Sequence, residues 1–386
     1  MIRRRTAVAV TLLALLSPLL LTTTGTSYAA PVPAAQRATV PELPRPTGRF
    51  EVGREDLHLV DRDRTDPWAG SGPRELMVTM TYPARRSTGG APAPYLSTEE
   101  ARLFLAFQGL DGVIGPEALA GTRSHARTGA RPVPGRHPLI VLSPGFTLHR
   151  ATLTALAEDL ASRGYLVASV DHAYESVSTT FPGGRIPPCL ACDRIDKEGG
   201  HRAVTETRGR DVSFLLDRLT ARHPAWRHAG LIDRTRIAMA GHSIGGASAI
   251  QTMAADPRVR AGIDMDGTLS SPFPAGGIGG RPFLLIGAQD TLPGVPGAWS
   301  EPWPLLDGWK RWITVDGADH SGFTDMPSLA DQLGVVRPGA PLPGARAVEL
   351  TRGYVAAFFD QHLKGESRPV LDGPSAGAPE VRFHNP

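Results

Sequence analysis

Six short apolar segments alternate with helical segments between residues 138 and 317, and this alternation constrains the fold more than any other feature. Continuous apolar runs of this length are typical of strands that are buried on both faces. The predicted strands are 138–144, 165–171, 236–241, 261–266, 281–290 and 311–317. The predicted helices are 152–164, 205–222, 244–255 and 347–363. The pattern predicts an α/β fold, with a mostly parallel central sheet and helices on both of its faces.

Residues 51–386 are predicted to form one domain, because no strong linker divides them. Within this region, 75–84 alternates like a half-exposed strand, 98–110 has helical spacing and 121–137 is expected to be an exposed loop. The preceding residues 31–50 are rich in proline, which suits a linker or a strap over the surface.

The N-terminus has the composition of an export signal. MIRRR is followed by an apolar stretch of about 15 residues and then by small residues, as in secretory signal peptides. We therefore expect a signal peptide over residues 1–30, cleaved after Ala29 or Ala30, and a secreted protein; an uncleaved anchor is the alternative. No later run approaches the roughly 20 apolar residues of a membrane span, so no stable insertion is expected after cleavage.

The charge balance argues against a nucleic-acid partner. Without the three arginines of the leader, the chain carries 38 basic and 38 acidic residues, although the whole chain has a pI of about 9.1. No basic stripe with interleaved aromatic residues is present, as nucleic-acid binding would favour.

Two cysteines, Cys189 and Cys192, lie in the motif CLAC within an irregular segment, about 173–200. In an exported chain this spacing predicts a local disulfide. A thioredoxin-like redox site is the sharper interpretation, but no suitable βαβ pattern follows. Zinc would need two further ligands, and the nearby His172 and His201 do not give a recognised spacing. The pair is predicted to be structural, and no metal site is expected.

The motif GHSIGG places Ser243 directly between a predicted strand and a predicted helix. This is the context of a nucleophile elbow, in which a tight turn exposes the serine hydroxyl. Gly241 and Gly245 are expected where the turn leaves no room for Cβ atoms. The alternative is an ordinary turn in which Ser243 caps the helix.

A serine nucleophile needs a base. In folds with a nucleophile elbow, the order along the chain is serine, acid, histidine. Three histidines follow Ser243, and His320 is the one on a loop directly after a buried strand. His362 falls within the last predicted helix, and His384 is near the chain end. His320 is therefore the candidate base, with a free surface histidine as the alternative.

Two aspartates at predicted strand ends are candidates for the acid. Asp266 ends the strand AGIDMD and Asp290 ends RPFLLIGAQD. Asp264 would point the same way as Asp266 but lies one pair deeper in the strand. Spacing alone does not choose between Asp266 and Asp290.

The candidate oxyanion hole combines two backbone N–H groups. One belongs to Ile244, which follows the nucleophile, and the other to Phe146 in the loop SPGFTLH after the first buried strand. The alternative is an ordinary Pro-Gly turn.

In these motifs the chain resembles the type II platelet-activating-factor acetylhydrolases and their bacterial relatives among the α/β hydrolases. The resemblance runs from MVTMTYPAR through PLIVLSPGFTLHR, ETRGRDVSFLLDRL, IAMAGHSIGGAS and AGIDMDGTL to GADHSGFTD. It implies an α/β-hydrolase fold, with Ser243 as nucleophile, Asp266 as acid, His320 as base, and Phe146 and Ile244 as oxyanion donors. Secreted lipases and cutinase-like enzymes share parts of the pattern and would place the acid at Asp290 instead.

The combined pattern predicts a secreted serine esterase that forms an acyl-enzyme on carboxylic esters, without a cofactor. Small or lipid-like esters are expected from the resemblance. An acyltransferase with the same triad and a non-catalytic binding protein are the alternatives. Of the four tryptophans in 297–312, one or two are expected to pack the sheet edge while the others cover a proline-rich loop; lining an acyl pocket or touching lipid is the alternative.

Overall fold

The structure is a computed structural model that describes residues 40–197, 199–269, 273–274, 276–296 and 298–385. The predicted signal peptide lies outside the described residues. Among the described residues, none of the helices combines the length and the apolar character that crossing a membrane requires.

An eleven-stranded sheet forms the centre of the molecule. Its strands are β1 (Glu51–Thr65), β2 (Pro73–Ala84), β3 (Pro92–Pro94), β4 (Arg123–Thr128), β5 (His137–Ser143), β6 (Leu166–His172), β7 (Ile232–His242), β8 (Val259–Met265), β9 (Phe283–Gly287), β10 (Lys310–Val315) and β11 (Val381–Phe383). Their order is β11-β10-β9-β8-β7-β5-β6-β2-β1-β4-β3. The six strands β5 to β10 run parallel to one another. Strand β2 pairs antiparallel with β6 on one side of them, and β11 pairs antiparallel with β10 on the other.

Helices cover both faces of the sheet. They are α1 (Thr98–Phe107), α2 (Pro116–Ala120), α3 (Thr154–Ser162), α4 (Gly200–Thr220), α5 (Ile244–Ala255), α6 (Met326–Leu333) and α7 (Gly344–Lys364). Because successive side chains of a strand face opposite ways, Ile140 and Leu142 pack with α3 and α7, whereas Leu139 and Val141 pack with α4 and α5. The α/β class with a mostly parallel sheet is thus confirmed.

Two expectations about the antiparallel side of the sheet are wrong. Residues 121–137 are not simply an exposed loop, because they contain β4, which pairs with β1 and β3. Strand β2 is not half-exposed: β1 and β6 pair with its two edges, and the polar side chains of Thr79 and Thr81 are buried with its apolar ones. Burial of both faces by neighbouring elements therefore overrides the alternating pattern.

Residues 40–50 lie against the domain. Leu43 is 1% exposed in a cluster with side chains of α1 and α6. The buried Arg352 of α7 donates hydrogen bonds to Pro44 O (2.6 Å) and Arg45 O (2.9 Å), and Thr47 N–H donates to Asp159 (2.8 Å). These contacts favour the strap among the two interpretations of this proline-rich segment.

We expect Leu43→Ala to lower the free energy of unfolding by about 2–5 kcal/mol, because it leaves a cavity in a packed cluster. Val40→Ala is the matched control, since Val40 is 48% exposed and its truncation should change stability by less than about 0.5 kcal/mol. Urea unfolding measures both variants. Equal, small effects would show that the segment is a loose linker.

Candidate active site

Ser243 lies on a strained turn between β7 and α5. Its φ is +56° and its ψ is −129°, a conformation that L-residues rarely adopt and that costs on the order of 1–3 kcal/mol. A Cβ atom at Gly245 would lie 2.1 Å from Ser143 O, and one at Gly241 would lie 2.2 Å from the backbone of Gly245. The turn therefore requires both glycines. The Ser243 side chain does not cap α5, contrary to the alternative interpretation.

His320 and Asp266 line up behind this hydroxyl. His320 Nε2 lies 2.9 Å from Ser243 Oγ, and His320 Nδ1 lies 2.6 Å from Asp266 Oδ2. Since an ionised carboxylate only accepts hydrogen bonds, Nδ1 carries the proton and Nε2 is free to accept from the serine hydroxyl. The structure thus brings Ser243, His320 and Asp266 together in one hydrogen-bonded line, with the imidazole between the hydroxyl and the carboxylate.

The three groups come from the carboxyl ends of three parallel strands. Ser243 follows β7, Asp266 directly follows β8, and His320 opens a short 3₁₀ turn after β10. Asp266 also has a positive φ, of +60°. Its other oxygen, Oδ1, accepts hydrogen bonds from Ala288 N–H (2.8 Å) and Thr291 Oγ1–H (2.6 Å). These bonds fix the carboxylate that orients the imidazole.

The local electrostatics favour a charged acid and a basic imidazole. Burial opposes ionisation of Asp266, but the hydrogen bonds from His320, Thr291 and Ala288 outweigh it and hold its pKa below the ordinary value. The hydrogen bond and charge of Asp266 in turn raise the pKa of His320. The His320 side chain is 58% exposed, so the imidazole is accessible from solvent.

Asp290 lies near this group without contacting the imidazole. It is exposed and lines the same cavity as Asp266 and His320, but Asp266 makes the hydrogen bond to Nδ1. Asp264 is fully buried beneath the turn, where its Oδ1 accepts from Gly267 N–H (2.8 Å). Burial raises the pKa of Asp264 well above the ordinary value.

The two candidate oxyanion donors belong to neighbouring segments of the fold and contribute to one apolar cluster. Phe146 follows the end of β5 and Ile244 begins α5. Neither N–H donates a hydrogen bond to another described residue. Both amides are therefore free to stabilise a negative oxygen near Ser243.

His242 was missed as part of the site. Its ring lies beside that of His320, with the centroids 4.8 Å apart and the ring planes tilted by 44°. Its Nε2 lies 2.7 Å from the backbone oxygen of His320, so Nε2 carries a proton and donates to it. Burial, and then the charge on His320, lower the pKa of His242 to about 4. His242 is therefore uncharged near neutral pH, and its hydrogen bond holds the backbone of His320.

The cysteine-bearing segment packs beside the candidate oxyanion donors. Cys189 and Cys192 form a disulfide, as predicted. Between them, Ala191 is buried in a cluster with Ile244, against which Phe146 also packs. The segment after β6 thus forms part of the surroundings of the nucleophile.

The tryptophans of 298–312 are mostly core residues. Trp299 and Trp312 are fully buried, with the ring centroids 5.4 Å apart, and Trp303 is 6% exposed. The Nε1–H groups of Trp299 and Trp312 donate to Gly267 O and Thr291 O. Their burial favours a packing role over an acyl pocket or a lipid contact.

A buried set of His172, Glu175 and Asp211 has the donor atoms of a metal site. Both carboxylates, however, already pair with arginines. Arg74 contacts both of them at 2.8 Å, and Arg208 contacts Glu175 at 2.7 Å. The guanidinium groups of Arg74 and Arg208 thus already supply the positive charge that a metal ion would bring to these carboxylates.

Two cavities flank His320. One, of about 200 Å³, is lined by His320, Asp266, Asp290 and Thr268. The other, of about 300 Å³, is largely apolar and lies between α1, α2 and α6. Its lining includes Asp319 and Ser321, the residues on either side of His320 in the chain.

Comparisons with known proteins relate the chain to ester hydrolases. The family model described as platelet-activating factor acetylhydrolase, isoform II, matches residues 39–183 and 220–276. A probable 1-alkyl-2-acetylglycerophosphocholine esterase of Arthroderma benhamiae is 29% identical over 93% of this chain and 98% of that protein. Platelet-activating factor acetylhydrolase of Cavia porcellus is 26% identical over 74% of this chain and 69% of that protein. The solved structure of a ferulic acid esterase from Streptomyces cinnamoneus is 45% identical, with a TM-score of 0.78 over 89% of this chain and 99% of that one.

We predict that His320 titrates above its ordinary pKa of about 6.5, because the Asp266 carboxylate stabilises the imidazolium. Asp266→Asn removes that charge and should lower the pKa of His320. Asp290→Asn is the matched control and should leave it unchanged. Histidine-selective NMR titration measures all three proteins. A larger shift in Asp290→Asn than in Asp266→Asn would contradict the assignment.

Proposed function

The chain belongs to the platelet-activating factor acetylhydrolase, isoform II, family and is a carboxylic ester hydrolase, and we propose that it acts through Ser243, His320 and Asp266. The observation that carries this proposal is the continuous hydrogen-bonded line from Ser243 Oγ to His320 to Asp266, with distances of 2.9 and 2.6 Å. The elbow presents the hydroxyl to solvent-accessible space next to an imidazole of raised pKa, as nucleophilic catalysis requires.

The reaction proceeds in two halves. Ser243 Oγ attacks the ester carbonyl carbon while His320 Nε2 takes the hydroxyl proton, and the bond to the leaving alcohol breaks as His320 returns that proton to it. Water then attacks the acyl carbon while His320 Nε2 takes its proton, and the bond to Ser243 Oγ breaks as His320 returns that proton to Oγ and the acid product leaves. Asp266 keeps the imidazole in its reactive tautomer and stabilises the imidazolium in both halves.

The N–H groups of Phe146 and Ile244 stabilise the oxyanion of each tetrahedral intermediate. Such donors act because they are fixed before the charge develops, and losing one typically costs about 3 kcal/mol of transition-state stabilisation. Acyl transfer to an alcohol would use the same groups; product analysis with added alcohols distinguishes it from hydrolysis.

The apolar cavity beside His320 supports an amphipathic ester as substrate. Its volume of about 300 Å³ is at the lower end of ligand pockets, and apolar side chains such as Leu105, Leu119 and Leu329 line it. We propose that it takes the apolar part of the ester while the scissile bond lies at Ser243. The 1-alkyl-2-acetylglycerophosphocholine in the name of the Arthroderma benhamiae relative has an apolar alkyl chain and fits this division.

Export of the protein is part of the proposal. The composition of residues 1–30 and the Cys189–Cys192 disulfide support it, because disulfides persist in oxidising compartments.

Activity on a series of carboxylic esters tests the triad. We expect Ser243→Ala to abolish turnover and labelling by an active-site phosphonate, and Asp266→Asn to lower kcat by roughly 10³–10⁴-fold, because the imidazole loses its orienting carboxylate. Asp290→Asn is the control and should stay within about twofold of the wild type. Near-normal turnover in Asp266→Asn with collapse in Asp290→Asn would move the acid to Asp290.

The cavity assignment has a separate test. Ala330 of α6 lines the cavity, and Ala330→Phe should fill part of it. We expect kcat/KM for long-chain esters to fall roughly tenfold, and kcat/KM for the matching short acetate ester to stay within about twofold. Varying the acyl and the alcohol chains separately shows which half enters. Equal losses on short and long esters would contradict the assignment.

A further inference from the structure

Arg208 of α4 joins the start of the oxyanion loop to the segment after β6. We use oxyanion loop for residues 144–147. Arg208 Nη1–H groups donate to Pro144 O (2.5 Å) and to Ser143 Oγ (3.1 Å), and Nε–H donates to Glu175 Oε2 (2.7 Å). The side chain is 2% exposed, so these contacts are protected from water. The guanidinium therefore ties the loop to a fixed carboxylate.

The carbonyls next to this guanidinium also contact the elbow. A Cβ atom at Gly245 would lie 2.1 Å from Ser143 O and 2.7 Å from Pro144 O, so the two backbones are in close contact. Pro144 lies two residues before the donor Phe146, and Gly245 directly follows the donor Ile244. A shift of Pro144 would therefore change the spacing between the two oxyanion donors.

Glu175 holds the other end of the loop. Its backbone oxygen accepts from Thr147 N–H (3.1 Å), and Thr147 O accepts from Val177 N–H (3.1 Å). Thr147 has a φ of +67°, which a threonine adopts only where its surroundings impose it. Phe146 thus lies between a contact to Arg208 on one side and a backbone bridge to Glu175 on the other.

The Glu175 carboxylate is itself fixed by several donors. Trp68 Nε1–H (3.0 Å) and Arg74 Nη2–H (2.8 Å) donate to Oε1, which leaves Oε2 for Arg208. Burial opposes its ionisation, but the charges of Arg208 and Arg74 hold the pKa of Glu175 below the ordinary value. The anchor of Arg208 is therefore a charged and immobile group.

We propose that Arg208 is a positioning residue for this hydrolase, which sets the place of the Phe146 N–H through Pro144. It does not touch the substrate. The assignment rests on the proposed function, because it presumes that Phe146 and Ile244 stabilise the oxyanion at Ser243. Arginine is needed because its planar fork reaches Pro144, Ser143 and Glu175 together, which a lysine ammonium on a single stem does not.

Arg208→Lys tests the proposal in the full chain. We expect kcat to fall roughly 10–100-fold, less than the 10²–10³-fold for loss of an oxyanion donor, with KM within about twofold. Affinity for phenylboronic acid, which forms a tetrahedral anion on Ser243, should fall by the same factor. The acid limb of the pH–rate profile should keep its midpoint, because the His320–Asp266 pair is untouched.

Arg352→Lys is the matched control. Arg352 is also a buried arginine on a 21-residue helix, and it also donates to a proline carbonyl, Pro44 O, away from Ser243. It should lower the unfolding midpoint while kcat and boronate affinity stay unchanged. Unchanged kcat and boronate affinity in folded Arg208→Lys would overturn the proposal.

A milder variant covers the case in which Arg208→Lys does not fold. Ser143→Ala removes one of the two contacts that Arg208 makes at the end of β5 and the start of the oxyanion loop, together with the contact of Ser143 Oγ to His172 Nε2. It should lower kcat and boronate affinity together by about two- to fivefold; no change in either would overturn the proposal. Phosphonate labelling of wild-type Ser243 is measured first. If wild-type Ser243 is not labelled, the proposed function is wrong. If it is labelled but Arg208→Lys leaves kcat and boronate affinity unchanged, only this inference is wrong.

Discussion

The close approach of the α5 N-terminus to the ends of β5 and β7 is the constraint on which the site depends. Gly241 and Gly245 allow a backbone separation that a Cβ atom would prevent, and Ser243 takes up the sharp change of direction with its positive φ. Hydrogen bonds offset part of the strain, because Ser243 N–H donates to Met265 O and Ser243 O accepts from Gly246 and Ala247. The turn exposes the hydroxyl, and the Ile244 N–H has no hydrogen-bond partner in the part of the chain that the structure describes.

The parallel sheet delivers the remaining groups to the same place. The carboxyl ends of strands β7, β8 and β10 lie at the same end of the sheet. Ser243 and His320 are 77 positions apart in the chain, yet Ser243 Oγ lies 2.9 Å from His320 Nε2. The exposed chemistry rests on buried supports: Asp266 and His242 lie beneath the accessible imidazole, and Arg208 lies beneath the oxyanion loop. The accessible groups thus lie at the surface, and the buried groups that hold them in place lie in the layer below.

The sequence predicted the parallel part of the sheet because strands buried on both faces must be continuously apolar. Strand β1 escaped notice because its 15 residues are largely charged, and only its pairing with β2 and β4 makes it a strand. Chain order was enough to predict Ser243 and His320 as partners. The choice between Asp266 and Asp290 depends on the backbone direction after each strand, which spacing does not encode. His242 and Arg208 were missed for the same reason, since their roles arise from contacts between distant segments.

The pairing of His242 with His320 fits the proposed role of His320 as the base. His242 donates through Nε2 to the backbone of His320, which leaves its Nδ1 unprotonated and without a hydrogen bond from the described residues. A Cβ atom at Gly145 would lie 2.8 Å from that nitrogen, so the oxyanion loop closes over it. A proton there would be buried, unpaired and beside the His320 imidazolium, which is why the pKa of His242 falls to about 4. In the proposed reaction, a proton taken up by His320 would therefore stay on His320, between Ser243 and Asp266, where the leaving alcohol can receive it.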